Sequence, residues 1–298
     1  MTPSPVLLCC DMDRTVIPNG VQPESPTARA LFRALAAHPS VHLAYASGRH
    51  HELVRKAIRT YQLPMPDYVI TDVGTRIWEL LGNEWQEYDH WTHTIGADWM
   101  DKGPSDLRAA LSGLHALRPQ EPSKQTPLKL SYYVNRGVDH NALDSSIKRC
   151  MDALGIRHRR IWSMDEPAGV QLLDILPASA GKLGAVTFLA GRLGVHPDQI
   201  VFAGDSGNDL EVLVSPIPSV LVANAAPDVR QTVIEAIGAG APCHLAKGGY
   251  KGTNGNYAAG VVEGFAHYHP DLAELALAPA GSSKPPLPDD DTPSTLAG

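Results

Sequence analysis

Cysteine is scarce in this chain, at four of 298 residues. Cys9 and Cys10 are neighbours in one apolar run and should point to opposite faces of a strand as small apolar fillers. No CxxC or Cys/His spacing occurs, so a zinc site is not expected, and a reducing cytoplasm fits. Long apolar runs are missing too. No stretch reaches the roughly 18 residues that a membrane-spanning helix needs. The first run, Val6–Cys10, is short and lacks a preceding basic residue, so no signal peptide is read. Basic charge is not concentrated anywhere. The net charge of −7 argues against a nucleic-acid or membrane-surface partner. Three catalytic signatures are also absent. The segment ASAGKLG (residues 178–184) lacks the earlier glycine and the following Ser/Thr of a nucleotide P-loop. There is no HExxH among the thirteen histidines and no Gly-x-Ser-x-Gly turn.

What is present is an apolar fraction of 43%, enough for ordinary cores, in a length that suggests roughly two domains. The most informative stretch is LLCCDMDRTV, where an apolar run ends in Asp11-x-Asp13-x-Thr15. Two carboxylates at alternate positions repel each other, and folding does not ask for them. A cation together with phosphate chemistry would explain the pair; a strand ending in a polar turn would also produce it. Three more segments follow. VHLAYASGR is a strand with Ser47 and Gly48 at its end, ASAGKLG places Lys182 at the start of an amphipathic helix, and IVFAGDSGNDLEVL is a strand ending in Gly204-Asp205-x-x-Asn208-Asp209.

The periodicities predict alternating strands and helices up to about residue 79: a strand at Val6–Asp11, a helix over Pro26–Ala37 with Ser25 as its N-cap, a strand at Val41–Ala46, a helix over His51–Gln62 and a strand at Tyr68–Thr71. From Ile77 the pattern changes to a hairpin around Gly82-Asn83, then helices over Ser105–Leu117 and His140–Leu154 and strands near 128–135, 159–164 and 170–176. Alternation resumes with a helix over Lys182–Leu193 and runs to a helix over Tyr257–His267. The expected fold class is α/β: a Rossmann-like parallel-sheet core in two pieces, 1–79 and 177–270, with an inserted α+β cap at 80–176. Residues 271–298 are rich in Ala, Pro and Ser and are expected to be a disordered tail.

The ordered set strand-DxDxT, strand-Ser, Lys, strand-GDxxND resembles the haloacid dehalogenase superfamily of phosphohydrolases. The resemblance implies that Asp11 is a nucleophile forming an aspartyl-phosphate and that Asp13 acts as acid and then base, a role for which a raised pKa is expected. It implies an Mg²⁺ ion held by Asp11, Asp13 (through its backbone carbonyl) and Asp205. Asp209 either supports the metal through water or simply starts a helix. Ser47, Gly48 and Lys182 would bind phosphate, and Asn208 would either contact phosphate or hold Lys182.

The insert's position after the third strand is typical of members with a large α+β cap. Within those, YASGR, PDYVITDVGTRIW, LKLSYYV, DILP, Ala223-Asn224-Ala225 and AAGVVEGFAHY are similar to the sucrose-6-phosphate phosphatases, over about residues 5–269. The substrate implied is a small-molecule sugar phosphate, sucrose 6-phosphate first, with Arg49, Lys129 and Ser131 as sugar contacts. Asp72 departs from the pattern, where a small apolar residue is expected before Val-Gly, so mannosylfructose phosphate and glucosylglycerol phosphate remain alternatives. A non-catalytic sugar-phosphate scaffold and a phosphomutase are the other readings. A monomer is expected, with association with the glycosyltransferase that makes the substrate left open.

Overall fold

Why the first strand is buried on both faces is visible in its pairings. β1 (Val6–Cys10) lies at the centre of a sheet, its side chains alternating between two cores. The structure, a computed structural model, describes residues 4–135, 137–165 and 169–278. After β1 come α1 (Ala28–Ala36), β2 (Val41–Ala46), α2 (His51–Tyr61), β3 (Tyr68–Thr71) and the hairpin β4 (Arg76–Leu81) and β5 (Glu84–Glu87). Then follow α3 (Asp89–Gly96), α4 (Pro104–Leu111), β6 (Leu117–Pro119), β7 (Leu130–Val134), α5 (His140–Ala153), β8 (His158–Asp165) and β9 (Val170–Pro177). The chain finishes with α6 (Lys182–Leu193), β10 (Ile200–Gly204), α7 (Leu210–Leu213), β11 (Ser219–Leu221), α8 (Pro227–Gly238), β12 (Cys243–Leu245), α9 (Ala258–Tyr268) and α10 (Pro270–Ala276).

Among the described residues, eight strands form one sheet in the order β12-β11-β10-β1-β2-β3-β4-β5, and four form another in the order β6-β7-β9-β8. From β12 to β3 the large sheet is parallel; β4 and β5 close it antiparallel. The chain builds outward from β1 through β3, then returns to build outward from β10 on the other side. The switch point therefore lies between β1 and β10, where an open α/β sheet has its crevice beyond the carboxyl ends of the strands.

Phe32, Val54, Ile58, Phe265 and Leu272 cover one face of this sheet; Trp91, Ile95, Val186, Leu189 and Val233 cover the other. Cys9 and Cys10 fall on opposite faces, as strand alternation requires. The smaller sheet has its own core of Trp99, Leu107, Leu143, Ile147, Leu173 and Ile175. Among the described residues no helix is long and apolar enough to cross a membrane.

Several expectations change. The hairpin around Gly82-Asn83 pairs with β3 and so extends the large sheet, and α3 packs Trp91 and Ile95 under it. A boundary at residue 80 therefore cuts through β4; the smaller sheet begins later, after α3. The chain stays ordered beyond 271, because α10 buries Leu272 and Ala273 against α9. The remainder of the expected tail, 279–298, lies outside the described residues. Ser25 does not cap α1 with its side chain; its hydroxyl accepts a hydrogen bond from Asn254 N at 2.9 Å instead.

Candidate active site

Asp11 follows β1 directly, its amide donating to Ala203 O on β10 at 2.8 Å. Asp205 follows β10. The two central strands thus deliver a buried carboxylate each to the switch point. Gly204 lets Asp209 fold back: a Cβ there would lie 2.6 Å from Asp209 Cγ. Asp209 Oδ2 accepts the amides of Asp205 (3.1 Å) and Ser206 (3.2 Å), so the GDSGND turn is fastened by the residue that closes it.

Lys182 is the hub. It is fully buried, and its ammonium donates to Asp11 Oδ1 (2.6 Å), Asp209 Oδ1 (2.5 Å) and Asn208 Oδ1 (3.1 Å). Burial by itself would discharge it, but the two carboxylates raise its pKa above the ordinary lysine value. The carboxylates are in the opposite position. Burial and mutual repulsion push Asp11 well up and Asp205 to about 7, against the pull of Lys182 and, at Asp205, of Arg14. Carboxyl oxygens of Asp11, Asp205 and Asp209 lie within 4.8 Å of one another. Three buried carboxylates gathered so closely, two of them driven toward protonation, are a donor set that fits a hard divalent cation.

Asp13 is oriented elsewhere. Arg49 grips it bidentately (Nε to Oδ2 2.7 Å, Nη2 to Oδ1 2.6 Å), and Asn19 Nδ2 donates to Oδ1 at 2.7 Å. Burial raises its pKa, but these hydrogen bonds and the guanidinium charge outweigh it, leaving the carboxyl below its ordinary value. The expected raised pKa is thus not found, because its nearest charged neighbour is a cation. Its carboxylate stands outside the acidic cluster, so a metal role would fall to its backbone carbonyl.

Ser47 is buried at the end of β2, its hydroxyl accepting Arg49 N at 3.2 Å. Gly48 is exposed, and a Cβ there would meet nothing nearer than Val73 Cγ2 at 3.9 Å. The fold does not require a glycine at that point. The loop after β3 leans on this one through Asp72 N to Arg49 O (3.1 Å) and Val73 N to Ser47 O (3.3 Å). Asp72 and Val73 both have positive φ (53° and 60°), a strained state for a β-branched valine. At Gly74 a Cβ would lie 2.3 Å from Gly181 C, so two loops meet backbone to backbone beside Lys182.

The three expected sugar contacts are already engaged. Arg49 holds Asp13. Lys129, 3% exposed, faces Asp72 Oδ1 at 3.1 Å across the border between the two sheets. Ser131 donates to Asp174 on β9 in a very short hydrogen bond. Asp174 is half-buried, and its loss of solvent raises its pKa.

Some site residues had no reading from the sequence. Arg14, in left-handed conformation (φ 59°), reaches Asp205 at 3.3 Å. Asn224 donates to Arg14 O and accepts from Tyr257 N, both at 2.7 Å. Arg14 sits inside the DxDxT stretch, which was a signal; Asn224 was visible only as part of a matching segment.

The pattern of the family described as Sucrose-6F-phosphate phosphohydrolase matches residues 4–269. The chain belongs to that family. It is a phosphoric monoester hydrolase of the haloacid dehalogenase superfamily and a sugar-phosphate phosphatase. A Nitrosococcus oceani protein described as a HAD-like hydrolase is 45% identical over 89% of this chain and 72% of its own length. The mannosylfructose-phosphate phosphatase of Agrobacterium fabrum is 30% identical over 75% of this chain and 85% of its own. Among solved structures, the Synechocystis sucrose-phosphatase, in complex with sucrose and phosphate, superposes with a TM-score of 0.72 at 26% identity, covering 90% of this chain and 99% of that one. The chain spans 52–54% of the plant sucrose-phosphatases that it also matches.

Proposed function

We propose that this protein releases inorganic phosphate from a phosphorylated disaccharide, sucrose 6-phosphate first, through an aspartyl-phosphate on Asp11 and with Mg²⁺ as cofactor. One observation carries the reading: Asp11, Lys182 and Asp209 meet at the switch point of the sheet, with Asp205 alongside. The four aspartates Asp11, Asp13, Asp205 and Asp209 face Lys182, Arg14 and Arg49, so a phosphate dianion meets no net positive charge without a cation. Asp11, Asp205 and Asp209 are the residues that would hold Mg²⁺, which when bound supplies positive charge for the phosphoryl oxygens.

In the first half-reaction an Asp11 oxygen bonds to phosphorus, the bond from phosphorus to the sugar oxygen breaks, and Asp13 gives that oxygen a proton. In the second, water attacks phosphorus, the bond to Asp11 breaks, and Asp13 takes a proton from the water. Since Arg49 holds Asp13 ionised, the acid role requires that substrate draw the guanidinium away. Lys182 and Ser47 bind the phosphate, with Gly48 leaving room above the chain and Asn208 orienting Lys182.

The test is phosphate release from sucrose 6-phosphate set against mannosylfructose, glucosylglycerol, trehalose and glucose phosphates, with Asp11→Asn alongside. Near-normal turnover by Asp11→Asn would sink the covalent route; ligand binding without turnover by the wild type would favour a scaffold. A second glycosyl substrate, mannosylfructose phosphate, is favoured by two observations: Asp72 adds a buried carboxylate beside Lys129, and the Agrobacterium relative is 30% identical.

A further inference from the structure

We infer that Arg159, on β8 of the smaller sheet, is a positioning residue for Lys182. The inference rests on the phosphatase reading above only for the role of Lys182. Helix α6 starts at Lys182, yet its N-cap is Gly181, which has no side chain to accept the free amides of the first turn. Glu211, from α7, supplies the missing acceptor: its Oε1 takes the amide of Leu183 at 3.3 Å. Glu211 is held in turn by Arg159, whose Nη2 forms a close ion pair with Oε2 and whose Nη1 donates to Ala180 O at 2.5 Å.

The rest of the segment is fastened the same way. Ala178 N donates to Arg157 O at 3.2 Å, and Ser179 N donates to Asp98 Oδ2 at 2.6 Å. Asp98 and Arg157 both lie between α3 and β8, and Asp98 also accepts the Arg157 guanidinium. Gly181 is squeezed into this set. Its φ is 117°, and a Cβ would sit 2.4 Å from Arg159 Nη1 and 2.6 Å from Glu211 Oε1.

The core contacts of the Lys182 ammonium do not replace this tether. Two of its three partners, Asp11 and Asp209, also belong to the acidic cluster that fits a cation. A cation held by those oxygens would weaken their grip on the amine, whose place would then depend on where the backbone of 180–183 is held. Two arms hold it, Asp98 with Arg157 beside the smaller sheet and Arg159 on β8, and Arg159 is the arm that reaches both the loop carbonyl and the helix-capping carboxylate.

The experiment uses Arg159→Ala, Arg159→Lys, Glu211→Gln and the double variant Arg159→Ala/Glu211→Gln. It reads turnover of sucrose 6-phosphate, turnover of p-nitrophenyl phosphate, and the calorimetric Kd for inorganic phosphate. A positioning role predicts that kcat falls by about 10-fold or more on both esters for Arg159→Ala, with KM for the sugar ester moving less than about 3-fold. It predicts a weakening of phosphate affinity of the same order, partial recovery in Arg159→Lys or with added guanidinium, and a double variant little worse than the worse single one. Two results would overturn the inference. A loss confined to the sugar ester and to KM would make Arg159 a sugar contact. A lowered Tm with kcat and phosphate affinity intact would make it structural. The phosphate Kd still reads the position of Lys182 if the wild type turns over neither ester, an outcome that removes the phosphatase reading alone.

Discussion

Three basic side chains sink into this molecule in three different electrostatic settings. Lys182, in the large-sheet core, has two carboxylates and an amide oxygen on its ammonium. Lys129, at the border of the smaller sheet, has one carboxylate, Asp72, with Asp174 nearby. His51, on α2, stacks on Trp78 at 4.1 Å, and its Nε2 has no hydrogen-bond partner among the described residues. The pKa of Lys182 rises, because its carboxylates overcome burial. That of His51 falls to about 4, with burial as the first cause and Arg55 as the next. Burial alone therefore says nothing about charge; the number and closeness of opposite charges decide it.

The largest break in this comparison is Lys182→Met. On the proposed role of Lys182 in holding phosphate, release should fall by more than about 10²-fold. Stability should fall by about 3–5 kcal/mol at neutral pH, because Asp11 and Asp209 are left buried without a counter-charge. Added Mg²⁺ should restore much of that stability, and urea titration with and without Mg²⁺ reads both effects.

Lys129→Met should cost a similar 3–5 kcal/mol by leaving Asp72 unpaired, but Mg²⁺ should not restore it. Replacing both partners, with Asp72→Leu added, should recover most of the loss, since apolar groups of similar size need no counter-charge. Turnover of p-nitrophenyl phosphate should survive in these variants better than turnover of the sugar ester.

In the wild type, chelation should abolish phosphate release and Mg²⁺ should return it. At 100 times its Kd, Mg²⁺ should add about 2.7 kcal/mol of stability, seen as a concentration-dependent Tm. A Tm indifferent to Mg²⁺ would sink the cation reading of the acidic cluster.

The smallest effect belongs to His51. Its folded pKa lies below the unfolded value of 6.5, so the unfolded chain binds the proton first. The contribution of a neutral His51 is fully present above about pH 6.5 and is lost as pH falls toward 4. His51→Phe should flatten that part of the stability profile; an unchanged profile would show that His51 is solvated.

The order of chemistry-bearing segments was legible because each sits directly after an apolar run, and strand ends in a parallel sheet converge on one edge. Asp11, Ser47 and the 205–209 turn stand at such ends, whereas Lys182 stands at a helix start, and the roles of all of them came from the resemblance. Asp13 shows the limit. Its place was evident, but its pKa depends on Arg49, and nothing local says which way a guanidinium 36 residues away will turn.

The hairpin Arg76–Glu87 has the same alternating pattern whichever sheet it joins, and its pairing with β3 is a long-range choice. The helix after residue 270 was missed because two buried positions, Leu272 and Ala273, are too few to make a periodic signal. Arg159 and Glu211 looked like ordinary charged residues in a strand and a short helix.

The chain's own letters determined the parallel core, the edge on which its acids and its lysine gather, and the start of α6 at Lys182, because spacing and strand order act locally. Tertiary packing alone decided which carboxylates share a pocket, which cation meets which acid, and how the smaller sheet grips the segment before Lys182. Those are Coulombic and steric facts between residues about 20 to 200 positions apart, and they exist only once the chain has folded.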